Sequence, residues 1–187
     1  MPWAPTDVTG LIRWGKADSL GLANNDPVAS YTDSSGTGNH FIASGAVRPT
    51  FKTNVQNSLA AILFDGTQNY LTRDALGATL SGTNTPFTFF WCGQHVTLAA
   101  LHQCFFICAN ITGSSTPTHD LFWRHEGYNW WCDRRDDAAL IKRVQGFEPD
   151  TNWHTLIYTF DGTTGIMYVD GISMASRNQS GAGASPP

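Results

Sequence analysis

One stretch of this chain brings together residues that could hold a ligand. Between positions 120 and 133, DLFWRHEGYNWWCD, three tryptophans and a tyrosine surround the turn dipeptide Glu126-Gly127. Alternation along a strand puts Trp130 and Trp131 on opposite faces. Cys132 sits beside Trp131 in sequence and so shares the face of Trp130, which makes Trp130 the core residue. Asn129 and Asp133 share the face of Trp131, and Arg134 follows directly. A flat indole flanked by amide, carboxylate and guanidinium groups offers a sugar ring both dispersion contact and hydrogen bonds. Trp131, Asn129, Asp133 and Arg134 are therefore the candidate glycan site. The competing structural reading covers Trp131 with the loop 136–143 or with a neighbouring subunit.

Acid–base machinery is sparse. Glycosidases need two carboxyl groups roughly 5–9 Å apart across the scissile bond. This chain has two glutamates, Glu126 in the expected turn and Glu148 beside Pro149, and neither belongs to an alternating array of acids. There is no nucleophile-elbow serine, phosphate-binding loop or dinucleotide fingerprint, and the six histidines are scattered. A non-enzymatic protein without a cofactor is expected. His102, Cys104 and Cys108 could gather round a metal only if LHQCFFICA folded back on itself, and it has no turn residues. As a strand it holds Cys104 and Cys108 about 13 Å apart, beyond disulfide reach. Both cysteines read as apolar filling, and no metal is expected. The turn Asp33-Ser34-Ser35-Gly36 could hold calcium, but its low count of acidic ligands favours the structural reading. Asp33 and Asn39 are expected to hydrogen-bond nearby backbone instead.

The elements that must position these residues are strands. With 187 residues, 41% of them apolar, the chain can bury a sizeable core; 18 glycines, 9 prolines and only 14% charged residues suit a turn-rich β protein. A net charge of −4 and a pI near 5.8 argue against a nucleic-acid surface. The basic run Arg134-Arg135 with Arg143 is broken by Asp133, Asp136 and Asp137, which reads as a solvated mixed-charge loop. Strands are expected at 8–14, 28–32, 40–43, 59–64, 70–73, 87–96 and 101–109. The run 59–64 reads as a buried strand, and 87–96 as a central strand covered on both sides. The clearest signal is 152–171, NWHTLIYTFDGTTGIMYVDG. His154, Leu156, Tyr158 and Phe160 alternate with Trp153, Thr155, Ile157 and Thr159. A loop at 161–165 then leads into a return strand with Met167 and Val169 inward, and Asp170-Gly171 opens a third strand over 172–175. The chain shows no secretory leader and no apolar run long enough for a membrane helix, so the expectation is synthesis in a reducing cytosol with all four cysteines as thiols.

These same residues carry a family resemblance. Trp153-His154, Tyr158-x-Phe160-Asp161-Gly162 and Gly165-x-Met167-Tyr168-Val169-Asp170-Gly171 resemble the hairpin of laminin-G-like domains in the concanavalin A-like lectin and glucanase superfamily. Upstream, Gly10-Leu11-Ile12-Arg13-Trp14 with Ala17-Asp18, Asp33-Ser34-Ser35-Gly36 with Asn39, Arg48-Pro49-Thr50-Phe51, and Phe64-Asp65-Gly66 with Tyr70-Leu71 resemble the amino-terminal half of such domains. The resemblance implies an all-β, concanavalin A-like (laminin-G-like) antiparallel jelly-roll sandwich over 1–175, of the kind found in phage virion and bacterial surface proteins, with His154 in a structural hydrogen bond. Function is implied only loosely, because the superfamily includes lectins, hydrolases and structural modules. The expected role is a non-catalytic decoration module on a virion, capsid or tail, made in the host cytoplasm; the alternative is a polysaccharide-binding lectin. Laminin-G-like domains continue beyond the Val-Asp-Gly turn, whereas 176–187 reads here as a flexible Gly/Ser/Pro-rich tail. An early stop leaves the expected first strand without its neighbour, so Leu11, Ile12 and Trp14 are the candidate assembly edge, for self-association or for docking onto virion proteins.

Overall fold

A computed structural model of the chain describes residues 4–73, 76, 84–98, 103–110, 118–126, 129–135, 141–146 and 150–179. Almost all regular structure among them is β, paired antiparallel, with short 3-10 turns at Pro5–Asp7, Ala17–Leu20 and Gly45–Val47. The chain divides into two units, Met1–Thr79 and Leu80–Pro187.

The amino-terminal unit contains β1 (Ser30–Tyr31), β2 (Phe41–Ile42), β3 (Thr50–Gln56) and β4 (Leu59–Leu63). β1 pairs with β2 and β3 with β4. Asn57 and Ser58 join β3 to β4 with φ of 51° and 62°, the two-residue left-handed turn whose twist matches a hairpin. Val28 and Phe51 are buried. β4 is not the buried strand expected, since Leu59 lies at its exposed start and Phe64 is exposed beyond its end. The segment 70–73 contributes a single bridge, Ile42 to Thr72, rather than a strand.

The strand expected at 8–14 is also not formed. The segment has no ladder neighbour because side chains of the 33–39 turn take up its backbone. Asp33 Oδ1 accepts from the Trp14 amide at 3.0 Å, and the Ile12 carbonyl accepts from Thr37 Oγ1 and Asn39 Nδ2 at 2.5 and 2.9 Å. The Trp14 carbonyl accepts from the Ser34 amide at 2.6 Å.

The carboxy-terminal unit holds two four-stranded sheets. One has the order β12-β11-β10-β5, from β5 (Phe87–Gly93), β10 (His154–Phe160), β11 (Thr164–Val169) and β12 (Ile172–Asn178). The other is the meander β6 (Gln103–Asn110), β7 (Thr118–Glu126), β8 (Asn129–Arg135) and β9 (Ile141–Gln145). The chain leaves the first sheet after β5, builds the second, and returns at β10 to pair with β5. Trp130, Cys132 and Val144 from the second sheet join Leu156, Tyr158, Phe160, Met167 and Val169 from the first in one buried cluster. Each fully buried aliphatic side chain there contributes about 1.5–3 kcal/mol. The alternation expected at 152–171 is the one observed. Asp170 and Gly171, at φ 49° and 81°, make the left-handed turn expected between β11 and β12.

Two expectations for this unit are overturned. β5 is not a central strand with both faces covered: among the described residues it pairs with β10 alone, and Phe90, on the face away from the core, is 66% exposed. Phe87, Phe89 and Trp91 do point toward the core; the aromatic run suggested two buried faces where there is one. Residues 176–178 do not belong to a tail either. β12 continues through Asn178, and its polar residues suit an outer strand. Gln179 is fully buried.

Candidate functional site

The pairing of β8 with β9 sets the geometry around Trp131. Trp131 lies opposite Gln145, and Asp133 opposite Arg143. Trp130 is buried in the core as expected, while Trp131 and Asn129 are partly buried on the other face. Arg143 reaches from β9 to Asp133, with Nε 2.7 Å from Oδ1 and Nη2 2.8 Å from Oδ2. Its guanidinium carbon stands 3.4 Å from the Trp131 ring centroid. One face of the indole is thus occupied by a cation held by its own carboxylate, a stacked and bidentate arrangement that only arginine makes. The Arg143 carbonyl in turn accepts from Arg177 Nη1 on β12 at 3.2 Å.

Of the four expected site residues, three share this face and one does not. Arg134 follows the alternation into the core, 1% exposed, with its guanidinium carbon 3.8 Å from the Phe160 ring centroid. Arg143, expected in a mixed-charge loop, lies on β9 and takes the place beside Trp131. The signal that could have found it is charge complementarity across the strand pair, Asp133 opposite Arg143, but using that signal requires the register. A ligand stacking on Trp131 must use the opposite ring face or displace Arg143. The edge expected at Leu11, Ile12 and Trp14 has no strand to present.

His154, at the start of β10, lies between two carboxylates. Its Nδ1 is 2.7 Å from Asp170 Oδ2 and its Nε2 is 2.9 Å from Asp150 Oδ1. Burial disfavours the charged ring, but the hydrogen bonds to Asp170 and Asp150 outweigh it and raise the histidine pKa above its ordinary 6.5. Both carboxyls are held below the usual carboxylate range, Asp170 first by the Thr155 amide and Asp150 first by the Asn152 amide, each with His154 adding to the effect.

Other aspartates serve as turn caps. Asp33 gathers the Trp14, Ser35 and Asn39 amides and the Ser35 hydroxyl, and shares the Thr37 hydroxyl proton with the Ile12 carbonyl. Burial would raise its pKa, and these bonds more than reverse that. Asp65 accepts from the amides of Thr67, Gln68 and Asn69, and Asp161 from those of Thr163 and Thr164. Both are thereby held well acidic. A carboxylate fixed this way favours its anion and serves poorly as a proton donor at neutral pH.

Cys104 and Cys108 lie in one strand, β6. Their side chains, His102 and Glu148 lie outside the described residues, and Glu126 ends β7 opposite Asn129. Cys92 is an exposed thiol and Cys132 a buried one, neither in a disulfide. Among the described residues no group of three or more potential ligands could hold a metal, and no helix is long and apolar enough to cross a membrane. In the amino-terminal unit a cleft of about 230 Å³ is bordered by Asp18, Leu22, Phe51, Asn54 and Ser58, and Asp18 Oδ1 there already accepts from the Ala60 amide at 2.7 Å. No family model and no curated protein sequence matches the chain.

Proposed function

We propose that this protein is a non-catalytic binding module, a concanavalin A-like jelly roll of laminin-G-like type that decorates a larger assembly, in the first place a phage virion. The observation that carries the reading is β5. It lies at the end of its sheet among the described residues and turns Phe90 outward at 66% exposure. An exposed aromatic side chain is an anchor for another protein or another copy of the chain, because docking there buries apolar area. The absence of catalysis in this reading is supported by the aspartates whose side chains are described, which are committed to backbone caps and to His154 and Arg143. The motif order in the sequence supports the family and the virion context.

The test is co-purification of tagged chain with intact particles, compared between the parent and Phe90→Asp. Particle association that Phe90→Asp reduces at least tenfold supports the proposal; a parent chain that stays free of particles and monomeric at high concentration overturns it.

A second reading, a lectin for polysaccharide, rests on Trp131 and Asn129, partly open on the face that also bears Asp133. Glycan-array binding lost in Trp131→Ala supports it, and the absence of binding to any glycan removes it.

A further inference from the structure

A neutral imidazole has one donor nitrogen, and an ionised carboxylate only accepts. His154 faces a carboxylate oxygen from each ring nitrogen, at 2.7 and 2.9 Å. A neutral ring would leave one of those pairs as acceptor against acceptor, so both contacts require the imidazolium. The two carboxylates are independently fixed. Asp150 accepts from the Asn152 amide and from Asn152 Nδ2 at 2.6 and 2.7 Å. Asp170 Oδ1 accepts from the Thr155 amide at 2.9 Å, and the Asp170 amide donates to the Thr155 carbonyl at 2.9 Å. Asp150 precedes β10, while Asp170 is the first residue of the β11–β12 turn. The His154 side chain is 10% exposed, while those of Asp150 and Asp170 are 44% and 50% exposed. Among the described residues the charged groups set against it are these two carboxylates, and its register partner on β5 is Gly93, which has no side chain.

We infer that Asp150, His154 and Asp170 form a pH-operated latch that fastens the approach to β10 onto the β11–β12 turn while His154 is protonated and releases it when the ring loses its second proton. The raised histidine pKa and the lowered aspartate pKa values run in the direction this geometry demands. Because the histidine pKa is raised on folding, the latch is complete below about pH 6.5 and is lost as pH rises through the folded titration point.

The test uses the full chain. Long-range proton–nitrogen NMR of the imidazole should show both ring nitrogens of His154 protonated at pH 6.5, with a midpoint above that pH. Hydrogen exchange of the Thr155 amide, corrected for intrinsic rate, should lose protection by up to about tenfold per pH unit above 6.5, the slope of one proton. His154→Gln should flatten that slope. If the variant does not fold, Asp150→Asn serves instead, and it should lower the His154 midpoint. A neutral ring at pH 6.5, an unchanged slope in His154→Gln, or an unchanged midpoint in Asp150→Asn each overturns the latch.

Discussion

Gln179 is the sharpest place to test how the second unit is closed. Its side chain is fully buried, its Nε2 donates to the Lys142 carbonyl at 2.6 Å, and its Oε1 accepts from the Tyr158 hydroxyl. Its amide donates to the Thr163 carbonyl at 2.7 Å. One residue past the end of β12 therefore ties together β9, β10 and the β10–β11 loop. Gln179→Ala keeps the backbone bond and removes both side-chain bonds, each worth about 1 kcal/mol net. It also takes from the buried Tyr158 hydroxyl its Gln179 acceptor, and the Cys132 thiol beside it is a weak replacement. A loss of about 2–4 kcal/mol follows, once the penalty for poorly satisfied buried groups is included. Urea denaturation followed by tryptophan fluorescence reads it, since five of the seven tryptophans, Trp91, Trp123, Trp130, Trp131 and Trp153, lie in this unit. Tyr158→Phe should cost about 1–2 kcal/mol, and the double mutant should lose less than the two single losses added together. Gly165 offers an independent check. A Cβ there would overlap Gln179 Oε1 and approach the Tyr158 hydroxyl, so Gly165→Ala should displace the same side chain. A Gln179→Ala loss below about 0.5 kcal/mol, within the scatter of ordinary surface substitutions, would show that 176–179 behaves as a tail after all.

Arg143→Ala should destabilise the chain by about 2–4 kcal/mol, because it leaves the buried Asp133 carboxylate without its cation, and acrylamide quenching should report a more open Trp131. Asp33→Ala should loosen the segment 11–14 and the 33–39 turn together, seen as lost amide protection at Trp14 and Asn39. In the parent, where the folded Asp33 pKa is depressed, its stabilisation is present above about pH 3.8 and is lost as pH falls below it. Alkylation of native protein should label Cys92 quickly and Cys132 slowly, and four labels should appear after denaturation; two would reveal a disulfide. Glu126→Gln and Glu148→Gln should leave behaviour on polysaccharides unchanged, and turnover of a defined polysaccharide that either substitution abolishes would refute the non-catalytic reading.

The sequence alone determined what depends on neighbours along the chain. Period-2 alternation placed Leu156, Tyr158, Phe160, Met167 and Val169 inward and separated Trp130 from Trp131, because successive side chains of a strand must point to opposite faces. Asp170-Gly171 specified a left-handed turn, and Asp33 specified capping of nearby amides, because both follow from local backbone chemistry. Only the tertiary structure decided which strands meet. Backbone hydrogen bonds between strands are nearly the same for every residue, so pairing and register come from packing that no local pattern contains. That is why Arg143 stands over Trp131 while Arg134 enters the core, and why Phe90 on β5 is exposed. It is also why 8–14, apolar enough to read as a strand, is held by the side chains of a distant turn, and why Gln179, in a stretch composed like a linker, is buried between three elements.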